Sequence, residues 1–295
     1  MSLAAWLLLF FLSALWGGSF LFAKVAVAEI PPLMLVFLRV LIAAAVLHLV
    51  LRLSRHRFPR DPKLLASFLV MGLLNNVIPF SLIFWGQTGI AAGLASILNA
   101  TTPIFTFLIA AVVLHQEPVT ANRIAGVLLG LSGVALMLSS SLAGLSSDPL
   151  WAQAACLGAA LSYGFAGAFG RRFKGTPPLV TATGQITGST LLMLPVALFS
   201  AGSWSPADVS LLVWGNVLAL AVLATALGYM IFFRLLGEAG ATNTSTVTLL
   251  VPVCALGLGY LLLGERLYPV QFAGLGILLC GLVLLDGRVL KLLRR

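Results

Sequence analysis

Arg39 carries the most chemistry in this chain, because it is the only charge set well inside an apolar stretch. It stands about 12 Å along a helix from Pro31, counting about 1.5 Å per residue. A cation at that depth costs several kcal/mol unless it snorkels or finds carbonyls and water. Two roles meet that demand. Arg39 can attract an anionic group, such as a substrate carboxylate, or hold a gate; or it can be a structural anchor on helix-end carbonyls, a reading favoured by the neutral residue, Gln185, at the matching place in the second half.

Other polar side chains gather at two prolines. Asn99, Thr101 and Thr102 precede Pro103, and Asn243, Thr244, Ser245, Thr246 and Thr248 precede Pro252. A proline inside a helix cannot donate to the carbonyl four residues back and clashes with it, so Pro103 and Pro252 are expected to break their helices and free the carbonyls of Asn99 and Thr248. Irregular backbone at membrane depth is tolerated where it is buried in protein or lines a wet cavity. Any one Thr or Ser can equally satisfy the backbone or glue helices. Asn75 and Asn76 add amide groups, with Phe80 one turn beyond Asn76 on the same face. Trp16 and Tyr163 sit mid-segment, about 20 Å from the segment starts, as core packing or as cavity walls. Tyr229 and Thr225, four apart, complete the candidates.

None of this is a reactive constellation. The eight acids, Glu29, Asp61, Glu117, Asp148, Asp208, Glu238, Glu265 and Asp286, fall at segment ends or in connections, and lone mid-segment serines such as Ser13 and Ser162 have no His or Lys one turn away. General acid–base and nucleophilic catalysis both need such groups side by side, so an enzyme is not expected. Cys156, Cys254 and Cys280 have no paired or ligand-like spacing, and His48, His56 and His115 have no partner at i, i+4, so neither a metal site nor a cofactor is expected. What remains is recognition of a small molecule.

The elements that must position these residues are membrane helices. The chain is 60% hydrophobic and 8% charged, with a mean hydropathy of +1.10, which a water-soluble globule cannot sustain. A span needs roughly 20 apolar residues. Ten stretches qualify, near residues 3–23, 31–51, 63–86, 91–114, 121–140, 150–170, 178–200, 209–233, 241–263 and 268–286. They are apolar all round, without the period-two alternation of barrel strands, which makes the fold an all-α integral membrane protein. The first stretch lacks an early Lys or Arg and runs past the length of a signal-peptide core, so it is read as a span.

Lys and Arg set the orientation. With the N-terminus inside, the inner connections hold Arg52, Arg55, Arg57, Arg60, Lys63, Arg123, Arg171, Arg172, Lys174, Arg234, Arg288, Lys291, Arg294 and Arg295, against Lys24 and Arg266 outside. The positive-inside rule then puts both termini in the cytoplasm of a bacterial-type inner (plasma) membrane. The pI of about 10.2 reflects these charges beside an anionic leaflet, not a nucleic-acid partner. The expected partners are the lipid bilayer and a small-molecule substrate, with the chain a monomer or homodimer.

A repeat organises the spans. Trp16-Gly17 matches Tyr163-Gly164, Lys24 matches Arg171, Arg39 matches Gln185, Trp85 matches Phe233, Gly89 matches Gly237 and Ala91 matches Ala239. Pro103 matches Pro252, Glu117 matches Glu265, Ala125-Gly126 matches Ala273-Gly274 and Gly133 matches Gly281, every offset lying between 146 and 149. Five spans per copy turn the second copy upside down, giving two inverted five-helix repeats over residues 3–140 and 149–288. Inverted repeats enclose a site near the midplane and expose it to alternate sides. Gly126, Gly130 and Gly133, and Gly274, Gly276 and Gly281, offer close-packing faces for rocking, for stability or for a dimer contact.

These residues also carry a resemblance. Ala14-Leu15-Trp16-Gly17-Gly18-Ser19-Phe20, Leu38-Arg39, Gln116-Glu117-Pro118 and Gly264-Glu265-Arg266, with the small-residue patterns after the last two, make the chain similar to the EamA family of the drug/metabolite transporter superfamily. The resemblance implies ten spans in two repeats, and export of small metabolites, amino acids or amphipathic toxic compounds through a central cavity. His115-Gln116-Glu117 departs from the family's Gly before Glu, which predicts a looser turn. The alternative is a channel-like or non-transporting membrane scaffold.

Overall fold

Lipid offers backbone groups no hydrogen bonds, so a chain this apolar must satisfy them within helices. The computed structural model describes residues 2–115, 117–144, 146–202 and 204–287, without the side chains of Ala241 and Thr242; Gln116, Arg288, Lys291, Arg294 and Arg295 lie outside the described residues. Among the described residues there are helices and no strands. In chain order they are α1 (Leu3–Ala26), α2 (Pro32–Leu53), α3 (Pro62–Gln87), α4 (Ala92–Val113) and α5 (Ala121–Leu142). Then come α6 (Leu150–Gly170), α7 (Pro178–Ser200), α8 (Leu211–Gly240), α9 (Val247–Leu263) and α10 (Pro269–Asp286). Eight of these are long and apolar enough to cross a membrane. The other two are α9, which has 17 residues, and α6, diluted by Gln153, Ser162, Tyr163 and its glycines. Phe199, Leu211, Leu3 and Leu261 stand largely bare on the outside, the surface a lipid-facing protein requires. The chain is a multi-pass membrane protein.

Local chemistry sets the helix ends. Ser2, Asp61 and Ser210 accept hydrogen bonds from Ala5, Lys63 and Val213 amides, capping α1, α3 and α8. Pro32, Pro62, Pro178 and Pro269 occupy first turns, where their missing N–H costs nothing. Gly264 ends α9 in the left-handed conformation at φ 64°. Just past the end of α4, His115 takes the left-handed conformation at φ 53°.

The two prolines act differently. α4 is interrupted at Ala100 and Thr101, Pro103 lies in the first turn of the resumed helix, and the Asn99 carbonyl accepts from Thr102 Oγ1 at 2.7 Å. Pro252, expected to break its helix, instead lies inside α9. The interruption comes earlier: Gly240 is non-helical at φ 79° and ψ 161°, and Ser245 and Thr246 form a turn before Val247. α9 restarts at Val247, so Pro252 is its sixth residue and leaves the carbonyl of Thr248 without its i+4 donor inside the helix.

Three π-helical turns interrupt the remaining regularity, at Leu73–Val77 in α3, Ile109–Val113 in α4 and Ala219–Leu227 in α8. Each adds a residue to a turn and re-aims every side chain beyond it.

Contacts between the halves of the chain come in matched pairs. Gly17 brings α1 onto α9, where an added Cβ would lie 2.6 Å from Cys254 Cβ and 2.9 Å from Ala255 N; Gly164 brings α6 onto α4, 3.0 Å from the Phe105 carbonyl carbon. Trp16 Nε1 donates to the Ala224 carbonyl of α8 at 3.1 Å, and Ser162 Oγ donates to the Leu74 carbonyl of α3 at 2.7 Å. α5 and α10 meet backbone to backbone: a Cβ on Gly126, Gly133 or Gly281 would approach the other helix's main-chain atoms to 2.6, 2.6 and 2.4 Å. These glycines pack against one another within the chain. Gly276 faces nothing.

The helix ends define two faces. One, the basic face, gathers Leu51, Phe68, Phe173 and Val180 beneath the connections that hold Arg52 to Lys63 and Arg171 to Lys174. The opposite face holds Lys24, Glu29, Asp148, Glu265, Trp85 and Trp151, the two indoles stacked at 4.9 Å.

Candidate functional site

Between the faces, α2, α3, α7 and α8 meet around Arg39. The side chain is 7% exposed. Its Nε donates to Thr225 Oγ1 at 2.8 Å, and its guanidinium carbon lies 3.6 Å from the centroid of the Phe80 ring and 5.7 Å from that of Phe84. The ring's π face substitutes for part of the lost hydration. Thr225 can serve because it lies in the π-helical turn of α8, where its hydroxyl donates to the Leu220 carbonyl five residues back and leaves a lone pair for the cation. Helix-end carbonyls, the expected anchor, take no part in the described bonds of Arg39.

The other end of the cluster is a chain of amides and hydroxyls. Asn75 Nδ2 donates to Gln185 Oε1 at 3.1 Å and to the Tyr229 hydroxyl at 3.0 Å. The Tyr229 hydroxyl donates to Asn76 Oδ1 at 2.8 Å, and Asn76 Nδ2 donates to Ser189 Oγ at 3.1 Å. Ser189 Oγ in turn donates to the Gln185 carbonyl at 2.7 Å. Both asparagines lie in the π-helical turn of α3. Gly72 and Gly188 permit this closeness, since a Cβ on either would meet the facing backbone at 2.6 and 2.8 Å. In α7, Gln185 reaches α3; in α2, its sequence counterpart Arg39 reaches α8.

Tyr163 and Tyr229 both lie within electrostatic reach of Arg39. Each keeps a minor part of its surface exposed although it lies deep among the helices. Trp16 joins through the Ala224 carbonyl beside Thr225, and its ring lies tilted against Phe232 with centroids 5.4 Å apart. Gly228 makes room for the indole, whose Nε1 would lie 2.7 Å from an added Cβ.

Of the residues singled out from sequence, Trp16, Arg39, Asn76, Phe80, Tyr163 and Tyr229 therefore share one region. Asn99 sits on the interruption of α4, its Oδ1 buried and without a hydrogen-bond partner among the described residues. Asn243 Nδ2 and Thr244 Oγ1 donate to the carbonyls of Ala239 and Gly240, repairing the backbone where α8 ends at the basic face. Pro103 and Pro252 shape α4 and α9 and belong to neither group. Gln185 and Ser189 were not among the candidates. Gln185 had a readable signal, its match to Arg39, whereas Ser189 had none, since α7 also carries Thr181, Thr183, Thr187 and Thr190, each bonded to its own helix.

The cluster can bind but lacks a reactive set. Among the described residues, no three His, Cys, Asp or Glu side chains gather as metal ligands would. The terminal nitrogens of Arg39 make no hydrogen bond among the described residues, yet neither is among the buried atoms left without a partner, so both keep accessible surface. From the basic face a crevice of about 380 Å³ opens between α2, α7 and α8, its walls including Val50, His56, Pro178, Ala182, Phe233 and Arg234.

Comparison with known proteins agrees with a transport role. The chain is 27% identical over 273 residues to an uncharacterized transporter, YoaV, of Bacillus subtilis, covering 91% of each. It is 29% identical over 276 residues to a probable amino-acid metabolite efflux pump of Salmonella typhimurium, covering 90% of this chain and 89% of the relative. A crystal structure 19% identical in sequence superposes with a TM-score of 0.69 over 98% of both chains, a likeness of fold. One family model matches twice, at residues 4–139 and 150–285, and by that match the chain belongs to the EamA-like transporter family.

Proposed function

We propose that the chain is a secondary transporter that exports small metabolites, amino acids foremost, by alternating access through a central cavity between two inverted five-helix repeats. The basic face is cytoplasmic, and all ten helices span. The observation that carries this reading is Arg39: a deeply buried cation held at Nε and by Phe80, with its terminal nitrogens left for a ligand. Two parallel N–H groups match a carboxylate, and a positive charge at this depth disfavours lipophilic cations. Tyr163, Tyr229 and Trp16 then offer apolar walls with polar edges to the rest of an amino acid. The relatives named as probable amino-acid metabolite efflux pumps support the substrate class.

The test is efflux from reconstituted vesicles loaded with a panel of radiolabelled amino acids and lipophilic cations. Saturable efflux of amino acids is expected. Arg39→Gln should lower it by at least about tenfold, the loss of one charged hydrogen-bonding group, while the protein stays folded. Arg39→Lys should recover little, because an ammonium cannot make the planar bidentate contact. Conductance without saturation, or no flux of any panel member, would overturn the reading.

A further inference from the structure

Glu265 and Glu117 occupy matching places in the two halves and do different things in this structure. At the face opposite the basic one, Glu265 Oε1 accepts from the Ala92 amide at 2.8 Å and Oε2 from the Gly93 amide at 3.1 Å, so the loop after α9 is clasped onto the first turn of α4. The clasp is fitted: a Cβ on Gly259 would lie 2.6 Å from Oε2, and one on Gly93 would lie 2.7 Å from Leu256. Beside it, Lys24 Nζ donates to the Gln87 and Ile90 carbonyls at 2.7 and 2.8 Å, and Gln87 Nε2 donates to the Phe20 carbonyl at 2.7 Å. Lys24 is within electrostatic reach of Glu265 but spends its hydrogens on carbonyls. Four chain segments are thereby tied at that face.

At the basic face the counterparts are differently engaged. Glu117 holds Arg123 Nη1 at 3.3 Å and Arg171 Nη2 at 3.1 Å, in pairs whose side chains are between 30% and 52% exposed. Arg171 is the counterpart of Lys24. The register that matches Ala91 to Ala239 puts the amides of Gly240 and Ala241 where Ala92 and Gly93 stand in the first half. There the backbone is bent, with Gly240 at φ 79°.

We infer that Glu265 and Glu117 are the two latches of one switch, closed alternately. In the structure the Glu265 latch is shut and the Glu117 latch is released. In the opposite state Glu117 leaves Arg123 and Arg171 and takes the amides of Gly240 and Ala241, straightening the entry to α9. Arg171 turns to the carbonyls of Leu235 and Glu238, the counterparts of Gln87 and Ile90, while Glu265 releases Ala92 and Gly93 and pairs with Lys24. A carboxylate at a helix start gains from the unbonded amides and the helix dipole, and an ion pair at the surface is worth a comparable, small amount. Exchanging one for the other at both faces therefore leaves the two states close in energy, as a carrier requires. The inference rests on the alternating-access reading.

The test uses the full chain with Cys156, Cys254 and Cys280 replaced, in vesicles. Cysteines at Ala92 and Glu265 should cross-link readily on oxidation, and cysteines at Glu117 and Ala241 should cross-link in a separate share of molecules. In a protein carrying all four, each molecule should hold one cross-link or the other. Molecules holding both, or no 117–241 cross-link in a protein that still transports, would overturn the latches while leaving transport intact; exclusive cross-links together with no flux from the cysteine-free protein that keeps both glutamates would instead sink the transport reading. A second measurement keeps both glutamates. With spin labels at Thr88 and Arg266 across one face and at Val119 and Gly237 across the other, Arg123→Gln should raise the short 119–237 population about threefold, the effect of losing one half-exposed ion pair. Unchanged distance distributions would overturn the proposal.

Discussion

Removing the Tyr229 hydroxyl isolates its two roles. Tyr229→Phe leaves Asn76 Oδ1 without its donor, while Asn75 keeps Gln185. An unsatisfied buried acceptor costs about 1–3 kcal/mol, so the melting temperature in detergent should fall while amino-acid efflux persists with a changed KM. If melting is unaffected, the hydroxyl is not a brace. His115 permits the opposite kind of change. Its left-handed backbone costs about 1–2 kcal/mol for a residue with a Cβ, so His115→Gly, the residue its counterpart turn uses, should raise thermal stability by up to about 1 kcal/mol after glycine's own entropy is counted. At this scale the sequence was informative wherever a polar group was rare. Arg39, Asn76 and Tyr229 stood out against their apolar neighbours, and the structure brings them together. Ser189 did not, because a hydroxyl that bonds its own helix reads the same as one that also accepts from Asn76.

For the helices, the apolar stretches located nearly every element, and the ends differ from expectation by a few residues except around α8 and α9. There α8 runs on to Gly240 and α9 begins only at Val247, because a glycine conformation and a turn, not the proline, decide the break. The π-helical turns were not legible at all. Nothing in Leu73–Val77 or Ala219–Leu227 departs from a helical composition, yet each turn rotates the residues beyond it by about 100° and delivers Asn76 and Thr225 to their partners. The glycines of α5 and α10 allow a paired test. Gly281→Ala puts a methyl 2.4 Å from the Gly130 amide nitrogen, where only backbone can yield, and should destabilise by roughly 1–3 kcal/mol. Gly276→Ala meets nothing and should be neutral or stabilising by up to about 1 kcal/mol through helix propensity. Equal melting temperatures for the two variants would mean that α5 and α10 do not pack as described.

Over the whole molecule, the distribution of acids bears on what drives transport. Proton-coupled carriers commonly place a carboxylate within the membrane, and here the acids lie at helix ends or in connections, where Glu117, Glu238 and Glu265 are already engaged with Arg or backbone partners. Flux should therefore follow the substrate gradient and stay unchanged when the pH gradient across the vesicle is collapsed; strict dependence on that gradient would refute facilitated diffusion or exchange. The repeat was legible because its matches sit where packing allows one residue type, as Gly17 and Gly164 show at their helix crossings. Which helices the halves exchange was not, since the crossing of α1 onto α9 and of α6 onto α4 depends on contacts far apart in sequence.

The seam of α5 and α10 also fixes an order of events while the protein is being made. Roughly 130 residues separate the end of α5 at Leu142 from the start of α10 at Pro269. At about 5–20 residues per second, the glycine face of α5 waits on the order of ten seconds in the bilayer with lipid against it before its partner exists. During that interval the ribosome makes α6 to α9, so the first five helices must hold their places without their tightest contact. The first half is locked in place only when α10 arrives.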